Sequence, residues 1–61
     1  MRDLDKFREA VCKELTAMKE TGMQVPMRAF NWVEELDLSE FEEMSVAGVA
    51  ELCIELADNV C

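Results

Sequence analysis

In the first third of the chain the large apolar residues fall at Leu4, Phe7, Val11, Leu15 and Met18, in steps of three and four. That spacing gathers them on one stripe of an α-helix, with Lys6, Glu9, Lys13 and Glu20 on the opposite side. Asp3 or Asp5 suits the positive N-terminal end of such a helix. Gly22 supplies a left-handed residue that stops it, with Met18 and Met23 placed for the hydrophobic contact of a Schellman ending. The pattern predicts a first helix over residues 3–21.

After the connection "GMQV", Pro26 fits the first turn of a helix, because the N–H it lacks would have no partner there. The run "PMRAFNWVEEL" then places Ala29, Phe30, Val33 and Leu36 on one face, with Trp32 on its flank. Arg28, Asn31, Glu34 and Glu35 point away, and Met27 falls on the polar side. A second helix is predicted over residues 26–36.

In "LDLSEFEEMS", Ser39 followed by Glu42 has the form of a capping box, so a helix restarts at Glu40. Its length is decided by phase. From Val46 onward Val46, Val49, Leu52, Cys53, Leu56 and Val60 form a broad apolar arc, counting about 100° per residue. One unbroken helix would carry Glu42 and Glu43 into that arc and leave Phe41 and Met44 at its polar edge. A break near Met44 and Ser45 avoids this, with Ser45 as a new cap and Met44 with Val49 as a hydrophobic staple. The prediction is a short helix over residues 40–44 and a longer one over 46–60.

No segment alternates with period two, so the expected fold is all-α: a single domain over residues 1–61, with three main helices and a short helical turn. The last helix also has a second face of small residues, Ala47, Ala50, Ile54 and Ala57, extending toward Cys61. Small side chains let another helix come close. The two faces together exceed the stripe of a surface helix, so this helix is either central in the monomer or shared with a second chain as a homodimer. Ala47, Ala50, Ile54 and Ala57 are the candidates for self-association or close helix packing.

Length sharpens that choice, because a chain of 61 residues buries only about 60% of the surface its unfolded form exposes and gains from reinforcement. Cys12, Cys53 and Cys61 are odd in number, and the opening "MRDLDKF" has no secretory character, so a reduced, cytoplasmic setting is predicted instead of a disulfide framework. Cys53 and Cys61, eight positions apart, would stand roughly 12 Å apart along one helix, beyond disulfide reach. There is no histidine, and three dispersed thiols fall short of a four-thiolate zinc site, so neither metal nor cofactor is predicted. The apolar runs are too short for a membrane span. Self-association is the leading reinforcement.

Charge bears on the partner. Fourteen acidic residues against six basic ones give a net charge of −8, a field that repels phosphate backbones and attracts basic surfaces. No direct nucleic-acid binding is predicted. Glu51, Glu55 and Asp58 recur at i, i+4 and i+7, while Glu34/Glu35 and Glu42/Glu43 are adjacent pairs that diverge around a helix. Cys12 has Lys13 as its only immediate cation and no histidine to serve as base, and Gly22 and Gly48 form no phosphate-binding loop. Asp37 and Ser39 lack the turn glycine and the twelfth-position glutamate of a calcium loop. The chain is therefore read as a non-enzyme.

The candidate partner-binding residues are Glu51, Glu55, Asp58, Glu34 and Glu35, with Trp32 as an anchor at the edge of its helix. The function expected is that of a small acidic regulator or inhibitor that occupies a basic surface of another protein. A phage or plasmid accessory protein that blocks a nucleic-acid-processing or CRISPR-type complex is one form of it. The alternative is a structural homo-oligomerisation module with no separate target.

Overall fold

The computed structural model describes residues 3–59, which form three α-helices and one 3₁₀ turn with no strand among them. Helix α1 spans Leu4–Glu20, α2 spans Met27–Glu35, the 3₁₀ turn spans Leu38–Phe41 and α3 spans Val46–Asn59. Val60, which the sequence pattern places in the last helix, and Cys61, toward which its small face extends, lie outside the described residues.

Helix α1 begins and ends on identifiable chemistry. The Asp3 carboxylate accepts from the backbone N–H groups of Asp5 and Lys6, at 3.1 and 3.4 Å. At the other end Gly22 takes φ +99°, a conformation that an L side chain resists. The Met23 N–H then donates to the Met18 carbonyl at 3.1 Å and the Gly22 N–H to that of Lys19 at 3.2 Å. This is the Schellman pair of bonds, reinforced by the Thr21 hydroxyl, which donates to the Met18 carbonyl at 2.7 Å.

Pro26 stands one position earlier than the sequence suggests. It is the N-cap of α2, with ψ 147°, and its carbonyl accepts from the Ala29 N–H at 2.9 Å. At the far end of α2 the chain leaves the helix at Leu36, which strands the last carbonyls. Arg8 of α1 reaches one of them, its Nε donating to the Val33 carbonyl at 3.3 Å. A guanidinium at a helix C-terminus also suits the negative end of the dipole.

The short helix predicted at 40–44 is a 3₁₀ turn two residues earlier, and its cap is Asp37 in place of Ser39. The Asp37 carboxylate accepts from both the Ser39 N–H and the Ser39 hydroxyl, so Ser39 lies inside the turn that Asp37 caps. The earlier start brings Leu38 fully into the core. The chain breaks again before α3. There Ser45 accepts from the Gly48 N–H through its Oγ at 3.0 Å, while its carbonyl takes the Val49 N–H at 3.0 Å. A Cβ on Gly48 would come within 3.2 Å of Ser45 Oγ and 3.4 Å of Met44 Cε, so the glycine lets cap and methionine close over this turn.

The core joins Phe7, Val11 and Leu15 of α1, Ala29 and Val33 of α2, Leu38 of the turn, and Val49, Ala50, Cys53 and Ala57 of α3. In its thinnest direction the backbone measures 15 Å. Two helix layers 8–10 Å apart, with their own Cα radii, occupy about 13 to 15 Å. One layer of side chains therefore serves all three helices, and α3 packs on both α1 and α2.

Candidate functional site

Helix α3 distributes its residues differently from the two faces read in the sequence. Ala50 and Ala57, from the small face, are in the core together with Val49 and Cys53. Ile54 is half-buried and packed against that core, and Ala47 is exposed. Leu52 and Leu56, expected as core, are half-buried and are not among the described residues packed on it. The inward direction of the helix thus falls between the two faces, because small side chains there let its backbone sit close to α1 and α2. Ala50 and Ala57 serve close helix packing within the monomer.

The outward side of α3 carries Glu51, Glu55 and Asp58, all exposed. Their spacing keeps them within one stripe of the helix surface. None of the three has an ion-pair partner among the described residues, and α3 contains no basic residue. Two ion pairs are seen within α1, Arg8 with Asp5 at 3.8 Å and Lys13 with Glu9 at 3.5 Å. Asp58 lies in the last turn of α3, where the helix dipole disfavours a negative charge. The stripe is an uncompensated negative strip on the surface.

Glu34 and Glu35 are exposed in the last turn of α2, a second acidic position that also stands against its dipole. Trp32 is half-buried and packed on the core from α2. Arg8 has a role that the sequence reading did not assign, since nothing in the sequence pairs it with a carbonyl 25 residues away. The available signal is its place at the edge of the apolar stripe of α1, where a long side chain can reach over a neighbour.

Burial raises both described thiols, Cys12 and Cys53, above the ordinary thiol value. Burial pushes the Cys53 thiol up to about 11, with Cys12 adding to the effect. Cys12 is raised by partial burial first and then by the Glu34 carboxylate, with Arg8 opposing. A nucleophilic thiol requires the reverse arrangement. No pocket opens among the described residues, and no cluster of His, Cys, Asp and Glu there has the form of a metal site. No helix among them is long and apolar enough to cross a membrane.

The fold and surface define a small all-α domain with an acidic exterior. Comparison with known proteins gives no relative: no family model matches the chain, and neither a curated protein nor a solved structure matches it.

Proposed function

We propose that the protein is a small acidic protein-binding regulator or inhibitor, and that it occupies a basic surface of a partner protein through the exposed side of α3. The observation that carries this reading is the stripe of Glu51, Glu55 and Asp58, exposed, without ion-pair partners among the described residues, on a helix that has no basic residue. A natural helix gains from an i, i+4 cation or a basic last turn, and α3 uses neither. A field of one sign along a rigid element accelerates encounter with the opposite sign and selects against phosphate backbones. Proteins that handle nucleic acids present basic surfaces of the required kind, and a complex of that class, including a CRISPR-type effector, is the target chemistry this stripe fits.

The test is affinity capture from the source cells, followed by association kinetics of the captured partner with the wild type and with a Glu51→Lys/Glu55→Lys variant. Slower association and a weaker dependence on ionic strength are expected in the variant, with its melting temperature nearly unchanged because both groups are solvated. Equal kinetics for the two proteins would remove α3 from the contact. A captured partner with an acidic surface would overturn the reading itself.

A further inference from the structure

We infer that, among the described residues, Met27 and Met23, on either side of the α1–α2 connection, are the sites at which hydroperoxides oxidise the folded protein, and that the fold accepts both as sulfoxides. Met27 is 80% exposed and Met23 is 50% exposed. Between them Val25 is half-buried and packs on the core, which pins the connection inward and leaves the two methionines outside. Backbone bonding holds the arrangement. The Met23 N–H is tied to the Met18 carbonyl, and Met27 is the first residue of a helix that Pro26 caps. Met18 and Met44 are placed otherwise, half-buried and packed against the core.

The chemistry follows from access. A thioether sulfur attacks one oxygen of the peroxide and the O–O bond breaks. The sulfur becomes a sulfoxide by loss of two electrons, and the peroxide is reduced to water or alcohol. A dithiol reverses the step, giving a disulfide and water. No deprotonation is needed, whereas a thiol reacts as its thiolate. Cys53 is fully buried and Cys12 is half-buried, and burial raises both thiols above their ordinary value, so these two are shielded from the oxidant. A sulfoxide is polar, and placing it at Met18 or Met44 would wet the core. At Met23 and Met27 it enters water that already surrounds the side chain.

The experiment is a time course of the full chain with hydrogen peroxide at neutral pH, read by peptide mass spectrometry at each methionine and by circular dichroism melts. Met27 should reach half conversion first and Met23 second, while Met18 and Met44 remain unmodified until the protein is unfolded. The doubly oxidised protein should melt where the untreated one does. A Met23→Leu/Met27→Leu variant should stay folded and should lose both early additions of oxygen. Conversion of Met18 or Met44 in step with Met27 in folded protein would overturn the inference, and so would a clear fall in melting temperature after oxidation at Met23 and Met27 alone.

Discussion

Helix α1 meets the core with Phe7, Val11 and Leu15, whereas α3 meets it with Val49, Ala50, Cys53 and Ala57. The first is a surface helix of ordinary design, with large side chains inward, charges outward, a side-chain cap at the start and a Schellman ending. The second turns small side chains inward and holds its two leucines at half burial. The contrast is one of backbone approach: all three helices touch one another, and the small inward groups of α3 let its backbone sit close to α1 and α2. Their charges differ in the same sense. Helix α1 pairs Arg8 with Asp5 and Lys13 with Glu9, while α3 leaves three carboxylates uncompensated.

The contrast can be broken most severely at Ala50. An arginine there would place a charge at a fully buried position, at a cost of about 3 to 5 kcal/mol, comparable with the roughly 5 kcal/mol stability of a small domain. Ala50→Arg should therefore give an unfolded chain by circular dichroism. A folded variant would show that the inward face of α3 has room to spare.

Leu15 and Leu52 compare the two helices at equal chemistry. Leu15→Ala removes a fully buried side chain and should cost about 2 to 5 kcal/mol, whereas Leu52→Ala should cost about 1 kcal/mol because the side chain is half-buried to one side of the core. Denaturant titration of both variants measures the difference. Equal losses would return Leu52 to the core.

Alkaline pH probes the interior of α3 through Cys53. The Cys53 thiol is raised from 9.0 to about 11 in the folded protein, so above pH 9 the unfolded chain releases its proton first. Stability from this group is complete below pH 9 and is lost as pH rises from 9 toward 11. The slope is at most about 1.4 kcal/mol per pH unit for one proton. Cys53→Ala should flatten this part of the profile relative to wild type, and parallel profiles for the two proteins would contradict the burial of the thiol.

The helix ends give the smallest effects and the closest match between the two helices. Asp3→Ala at the start of α1 and Ser45→Ala at the start of α3 should each cost about 1 kcal/mol, since each removes a side-chain acceptor from first-turn N–H groups. Thermal melts of the pair decide whether the two caps are equivalent. A loss at Asp3 with none at Ser45 would mean that Gly48 and Met44, not the serine, set the start of α3.

The features legible in the sequence are those governed by neighbours in the chain. The 3–4 spacing of Phe7, Val11 and Leu15 marks the buried stripe of α1, and Gly22 with Met18 and Met23 marks its ending, because helix period and cap geometry act within a few residues. Ser45 is readable as a cap for the same reason, and the misplaced phase of Glu42 and Glu43 reveals the break before α3. Local chemistry also explains the misreading of the 3₁₀ turn. Asp37 and Ser39 are both capping residues two positions apart, and the pattern does not tell which one the other serves.

The tertiary structure decided what depends on which helix lies beside which. The apolar arc of α3 is broad, so its sequence is compatible with more than one inward direction, and contact with α1 and α2 selected the one centred near Ala50, Cys53 and Ala57. The candidate carboxylates were readable as an exposed stripe, but their lack of counter-charges among the described residues is a property of the assembled surface. The reach of Arg8 to the Val33 carbonyl joins residues 25 apart, and the half burial of Trp32 against the core likewise depends on how the helices pack. Sequence acts through bonds and helix period over a few residues, whereas packing against a neighbouring helix is settled by the volume and charge that the neighbour presents.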